Sequence, residues 1–274
     1  MAKKRRVLLG VFAHPDDESF ACGGTLARYA AEGADVHVII ATDGVAGSVE
    51  QKSGVVAGET LAQVRSTELT NAAVALGITS IWSMPYRDSG MRGTPENKHP
   101  KALMQQPLPT VIHDLAEYMQ RIRPQVVVTH DPYGGYGHPD HVRCCEATTA
   151  AFYLNGGQGK LYYTGFDQRL LKLGVVIARL TGHDPSALGR NKDINLVEIS
   201  RWEKPVHAMI DVSNYLDRKL AASRAHASQF SGGPPLFQRL LPLFLRKRIQ
   251  HYEMYTRGAP APATHLERDL FEGV

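Results

Sequence analysis

Short apolar runs recur along the chain, and each closes on a polar cluster. RVLLGVFA (Arg6 to Ala13) leads into HPDDE, VHVIIA (Val36 to Ala41) into TDGVAG, SIWSMP (Ser80 to Pro85) into YRDSGM, and PQVVVT (Pro124 to Thr129) into HDPYGGYGHPDH. Between them, Phe20 to Glu32, Thr60 to Leu76 and Leu108 to Arg121 carry apolar residues at helical spacing. Strands alternating with helices predict an α/β fold, a Rossmann-like, mostly parallel sheet with helices on both faces. Runs that are apolar at nearly every position suit strands buried on both sides. In such a sheet ligands bind beyond the carboxyl ends of the strands, where all four polar clusters fall.

After Tyr153 the pattern weakens. NGGQGKLYY reads as a loop, and Asp167 to Asp193 as a short helical stretch followed by a surface excursion, GHDPSALGRNKD. INLVEI (Ile194 to Ile199) alternates like a strand, and Asn214 to Ser228 reads as an amphipathic helix. PPLFQRLLPLFLRKR (Pro234 to Arg248) has three readings: cover for the core, a contact in a homo-oligomer, or a surface segment on a membrane. Core cover is preferred. No repeat or linker divides the chain, so residues 1–274 are expected to form one domain, with a core at 5–155 and a C-terminal strand and helix cover at 156–274.

Composition narrows the class. A hydrophobic fraction of 43% supports a full core, and 21% charged residues are ordinary for a globular protein. KKRR (Lys3 to Arg6) and RKR (Arg246 to Arg248) lack interleaved stacking aromatics, and the net charge is only +4, so no nucleic-acid partner is expected. Three cysteines, Cys22, Cys144 and Cys145, make no disulfide framework and fit a reducing cytoplasm. The basic start runs into HPDD without a cleavage site, which argues against a signal peptide. No stretch approaches the roughly 20 apolar residues of a membrane span.

Candidate chemistry lies in AHPDDE and GHPDH. Charges at the end of a buried strand need compensation, and a divalent metal supplies it. A catalytic zinc takes three imidazole or carboxylate ligands and keeps a position open for water. His14 and one of Asp16 and Asp17 provide two ligands, and His138 and His141, three apart, share a helical turn. Adjacent aspartates suit a division of labour, one on metal and one acting as general base. Taken singly, His14 fits a buried histidine, and Asp17, Glu18 or Asp140 a helix cap. Two HPD triplets at the ends of two buried strands fit a shared site better.

AHPDDE, HPDH, TDG and YRDSGM together resemble the LmbE/PIG-L family of zinc-dependent de-N-acetylases, from about residue 5 to about 155 and again from INLVEI through HASQF, residues 194 to 230. YRDSGM and GGYGHPDH look most like the branch containing N-acetylglucosaminyl-inositol deacetylases and thiol-conjugate amidases. The resemblance implies His14, Asp17 and His141 as metal ligands and Asp16 as general base. It implies His138 as oxyanion stabiliser or proton donor with Asp140 as its orienter, and Tyr136 as a carbonyl-polarising tyrosine. Arg65 and Asp88 would hold sugar hydroxyls, and His226 would contact substrate.

The implied reaction is attack of a zinc-bound water on an N-acetyl group of an N-acetylglucosamine-type substrate, releasing acetate and a free amine. Fe2+ or cobalt suits the same ligands. Asp16 and His138 both stay open as the final acid. Gly47 to Gly58 and Met91 to Gln106 are expected to shape the pocket mouth. The alternatives are an amidase acting on a thiol-cofactor conjugate, a two-metal phosphohydrolase recruiting Asp43, Asp88 or Asp131, and a non-catalytic metal-dependent sugar-binding protein. A closed structural zinc site would favour cysteines, and neither cluster contains one.

Overall fold

The structure is a computed structural model that describes residues 5–47, 60–188, 194–202, 205–230, 247 and 249–274. Its strands are β1 (Val7–Phe12), β2 (Asp35–Thr42), β3 (Ser80–Tyr86), β4 (Val126–Thr129), β5 (Lys160–Gly165), β6 (Ala208–Asp211) and β7 (Tyr252–Ala259). The helices are α1 (Asp17–Ala31), α2 (Leu61–Leu76), α3 (Leu108–Ile122), α4 (Pro139–Leu154), α5 (Gln168–Leu180), α6 (Leu196–Arg201) and α7 (Leu216–Ala225). One sheet of order β3-β2-β1-β4-β5-β7-β6 runs through the molecule. Its first five strands are parallel, and β7 runs antiparallel to both neighbours.

Side chains alternate across the pleat. Leu8 and Phe12 of β1 pack with Leu26 and Tyr29 of α1 and Leu69 and Leu76 of α2. Leu9 and Val11 face the other way, onto Leu115 and Met119 of α3 and Ala147 and Phe152 of α4. The first four strands and their helices follow the sequence reading closely. The C-terminal half does not.

KLYY, expected in a loop, opens β5, and the glycines Gly156, Gly157 and Gly159 make the turn before it. INLVEI is helical from Leu196, because Asn195 caps the turn by accepting the Glu198 N–H (3.1 Å) and buries Leu196 and Ile199 together. The expected helix from Asn214 to Ser228 divides into a 3-10 turn at Ser213–Tyr215 and the shorter α7. Most of Pro234 to Arg248, and Gly47 to Gly58 beyond its first residue, lie outside the described residues.

Two buried ionic clusters fasten the antiparallel edge. Glu253 of β7 accepts the Gly24 and Thr25 N–H groups (3.0 and 2.7 Å), freed where α1 kinks at Cys22, and pairs with Lys219 at 2.6 Å. Gly24 is obligatory there, since a Cβ would lie 2.6 Å from Val212 Cβ. Glu267 receives Lys160 Nζ (2.7 Å), Tyr162 OH (2.8 Å) and the Arg257 guanidinium. Glu267→Ala leaves two buried cations without their carboxylate. It is expected to lower unfolding free energy by about 3–5 kcal/mol in urea titration, and a loss below about 1 kcal/mol would mean the cluster behaves as a surface pair.

Candidate active site

The site is assembled where β1, β2, β3 and β4 end. β1 runs into Ala13 and His14, and the Pro15–Asp16 turn reverses the chain into α1. Asp16 takes φ 127°, ψ −30°, a conformation that costs a non-glycine residue about 1–3 kcal/mol. Beyond β4 a second turn is set by Asp131, whose carboxylate accepts the Tyr133 and Gly135 N–H groups, both at 2.9 Å. Gly134 (φ 76°) lies so close to the following turn that a Cβ would meet the His138 carbonyl at 2.9 Å. His138 then caps α4, its Nδ1 accepting the Asp140 N–H at 3.2 Å, and the first turn of α4 points His141 back at His14.

Three side chains meet at the centre. His14 Nδ1 lies 3.1 Å from His141 Nε2, and the Asp17 carboxylate lies 3.4 Å from the first and 3.3 Å from the second. The tautomers follow from the outer partners. His14 Nε2 faces the carboxylates of Asp140 (3.3 Å) and Asp88 (3.4 Å), so its proton belongs there. His141 Nδ1 donates to the Gly134 carbonyl at 3.2 Å. Each ring therefore turns a lone pair at the other, with a carboxylate beside both, and that arrangement repels unless a cation lies between. Ligand distances of about 2.0–2.1 Å in a tetrahedron give edges of about 3.3–3.4 Å, close to the spacing observed. His14, Asp17 and His141 thus fit a single zinc-sized ion, with Asp88 and Asp140 fixing the orientation of His14 from outside.

With no cation at the centre, the surrounding carboxylates place positive charge on His14 itself, at the point where a metal would supply it. Burial opposes charge on Asp17, but His141, His130 and His14 hold its carboxyl well below the usual range. Burial would likewise lower His14, yet the carboxylates of Asp88, Asp140 and Asp17 raise it well above its ordinary value. Asp16 behaves differently: burial pushes it up to about 6, against the pull of Arg65. Its carboxylate sits 2.9 Å from Arg65 NH2 and is close enough to Asp17 and His14 to feel their charges. Burial lowers His138, and His14 and His141 lower it further, so the ring is neutral with its proton on Nε2. Tyr136, an exposed side chain at the rim of the site, stands edge-on to His141 and His138, with ring centroids 5.3 and 5.9 Å apart.

Other expected residues lie elsewhere than their expected roles require. The Asp140 carboxylate faces His14 and the Ser89 N–H (2.8 Å), and Asp140 holds the His138 ring only through its backbone N–H. Asp88, expected on sugar hydroxyls, is 2% exposed; besides His14 it accepts the Gly90 (2.8 Å) and Ala46 (3.1 Å) N–H groups. Arg65, also 2% exposed, clasps Asp16 and the carbonyls of Pro15 and Gly44. His226 is fully buried on Glu18 at 2.7 Å, which rules out the expected substrate contact. Asp43 accepts the Asp88 and Val45 N–H groups, and Asp131 is committed to its own turn, which weakens the phosphohydrolase alternative.

His130 was missed. It stacks on His141 (3.9 Å, 10°), accepts the Ala13 N–H at Nε2 (3.1 Å), and lies 3.4 Å from Asp17, with its pKa lowered to about 4 by burial and by His141. The signal was available, because His130 directly follows an apolar strand just as His14 does. Among the described residues, Asp17, His130 and His141 form one of three candidate metal-holding groups; the others gather His14 with His138 and His141, and with Asp88, His138 and Asp140. All three converge on the same pocket.

Comparison with known proteins gives a consistent picture. The PIG-L family, described as GlcNAc-PI de-N-acetylase, matches residues 9–152. A 1D-myo-inositol 2-acetamido-2-deoxy-alpha-D-glucopyranoside deacetylase from Acidothermus cellulolyticus is 38% identical, covering 98% of this chain and 95% of its own. In structure the chain is similar to N,N'-diacetylchitobiose deacetylase from Pyrococcus horikoshii, with a TM-score of 0.56 at 21% identity over 93% of this chain and 84% of that one. It is equally similar to the 4-carboxy-2-hydroxymuconate hydratase of Pseudomonas putida (TM-score 0.59, 18% identity, 95% and 99% covered). The architecture alone therefore does not select a reaction.

Proposed function

The chain belongs to the PIG-L family, and from that premise we propose that it is a metal-dependent deacetylase that removes the acetyl group from an N-acetylglucosamine-type substrate. The observation that carries this reading is the pair of facing imidazole lone pairs on His14 and His141, closed by Asp17, with the Asp16 carboxyl within electrostatic reach of Asp17 and His14. The near-full-length relative with a GlcNAc-inositol substrate supports inositol as the attached group. Amidase action on a thiol conjugate is the competing substrate reading. The free, buried cysteines support a cytoplasmic setting, and no described helix is long and apolar enough to cross a membrane.

His14, Asp17 and His141 would hold zinc, or Fe2+ in its place, which supplies a Lewis acid and lowers the pKa of water. The chain's own residues do the rest. Asp16, unprotonated at neutral pH, takes the proton of the attacking water and returns it to the departing amine nitrogen. With a neutral ring, His138 offers its Nε2–H to the developing oxyanion instead of acting as the acid, and the Tyr136 hydroxyl is a second donor there. Arg65 keeps the Asp16 carboxylate in place. Acetate release from a panel of N-acetylated amino sugars, with and without a chelator, tests the proposal. Release from none of them would remove it.

A pH profile follows from Asp16. A base must be ionised, so activity is present above its pKa and falls about tenfold per unit below it. Burial sets that value at about 6, and a neighbouring cation moves it down. The acid limb of kcat/KM is therefore expected at or below pH 6. A limb above pH 7 would assign the base to another group.

A further inference from the structure

We propose that Glu18 and His226 are positioning residues that hold the Asp16 backbone in its strained conformation, an inference that rests on the assignment of Asp16 as the base. The φ of 127° lies far from the ordinary left-handed basin near about +57°, so surrounding contacts must impose it. Glu18 supplies the contact, its Oε2 accepting the Asp16 N–H at 3.0 Å. Its Oε1 accepts Ser19 Oγ (2.6 Å) and His226 Nε2 (2.7 Å), and neither Glu18 nor His226 has any exposed surface. His226 Nδ1 has no partner among the described residues, which matches a ring carrying its proton on Nε2 toward the carboxylate.

The far side of the brace is anchored as firmly. Ser228, two residues after His226, donates its N–H and its hydroxyl to the two Glu68 oxygens, each at 2.7 Å. Glu68 lies three residues beyond Arg65 on α2, one helical turn away. The contacts form a closed buried circuit. Arg65 grips the Asp16 carboxylate, α2 joins Arg65 to Glu68, Glu68 fixes the Ser228 turn, His226 fixes Glu18, and Glu18 fixes the Asp16 N–H. The AHASQF segment thus serves the base from behind, across more than two hundred residues of sequence.

The test uses full-length Glu18→Ala and His226→Phe, each with and without Asp16→Asn. Displacing a reacting group by about 1 Å costs about 10²-fold in rate, so kcat is expected to fall by about that factor with KM and zinc content unchanged. In the Asp16→Asn background neither variant is expected to cost more activity, and His226→Gln, which keeps an N–H donor, is expected to recover most of the wild-type rate. A crystal structure of metal-free Glu18→Ala is expected to show Asp16 relaxed to negative φ; if that variant does not fold, His226→Phe carries the same readout. An equal loss in the Asp16→Asn background, or an unmoved Asp16 φ in a folded variant, overturns the proposal. The backbone angle needs no substrate, so failure of wild type to release acetate would sink the deacetylase reading and leave this one decidable.

Discussion

Replacing His141 with alanine is expected to strip the protein of zinc and, with it, of acetate release. His141 Nε2 is one corner of the triangle it forms with His14 and Asp17, and its lone pair is fixed in place by the Nδ1–H donated to Gly134. Removing an outer partner of a metal ligand costs about 10–100-fold in affinity, and removing a direct ligand should exceed that. Asp140→Asn supplies the graded comparison, since its carboxylate meets His14 at the outer nitrogen and otherwise accepts the Ser89 N–H. Metal analysis after dialysis should rank wild type above Asp140→Asn and Asp140→Asn above His141→Ala. Thermal unfolding gives a second reading that needs no substrate. A ligand at 100 times its Kd stabilises the folded state by about 2.7 kcal/mol, so added zinc should raise the wild-type Tm and leave His141→Ala unmoved. Zinc retained at wild-type stoichiometry in His141→Ala would show that the central triangle is not the metal site.

The amino-terminal half was legible because its physics is local. Four strands apolar at nearly every position end in polar clusters, and a parallel sheet brings such ends together. His14, Asp16, Asp17 and His141 could be singled out because charge at the tip of a buried strand demands compensation. By that rule His130 should have been included, since it ends β4 as His14 ends β1. β7 hid for the opposite reason: Glu253, Tyr255 and Arg257 alternate along it as buried positions, and two of those three carry charges satisfied by partners on other elements. Hydrophobic alternation has no way to mark such a strand. INLVEI was misread because six residues fit either period, and the Asn195 cap decides between them. The pairings of His226 with Glu18 and of Ser228 with Glu68 exist only once the sheet has been folded around α1 and α2.

Asp16→Asn is expected to separate chemistry from metal binding. The side chain keeps its size and can still accept from Arg65, and the carboxylate it replaces belongs to none of the candidate metal-holding groups among the described residues. Zinc content and thermal response to zinc should therefore match wild type. What disappears is a group able to take a proton from water and hand it to the amine, a role worth about 10²–10⁴-fold. The expected loss is about 10³-fold in kcat with KM little changed, because the group acts in the transition state and not in holding the sugar. The residual activity should also lose its acid limb at or below pH 6, since no group with that pKa is left in the reaction. This second signature matters, because a variant that merely disturbed the site would lower the rate while keeping the shape of the profile. If Asp16→Asn turns over normally, or keeps the same acid limb at reduced rate, the proton is carried by another residue. Asp17 would then be no candidate: its carboxyl is held well below the usual range by three surrounding histidines.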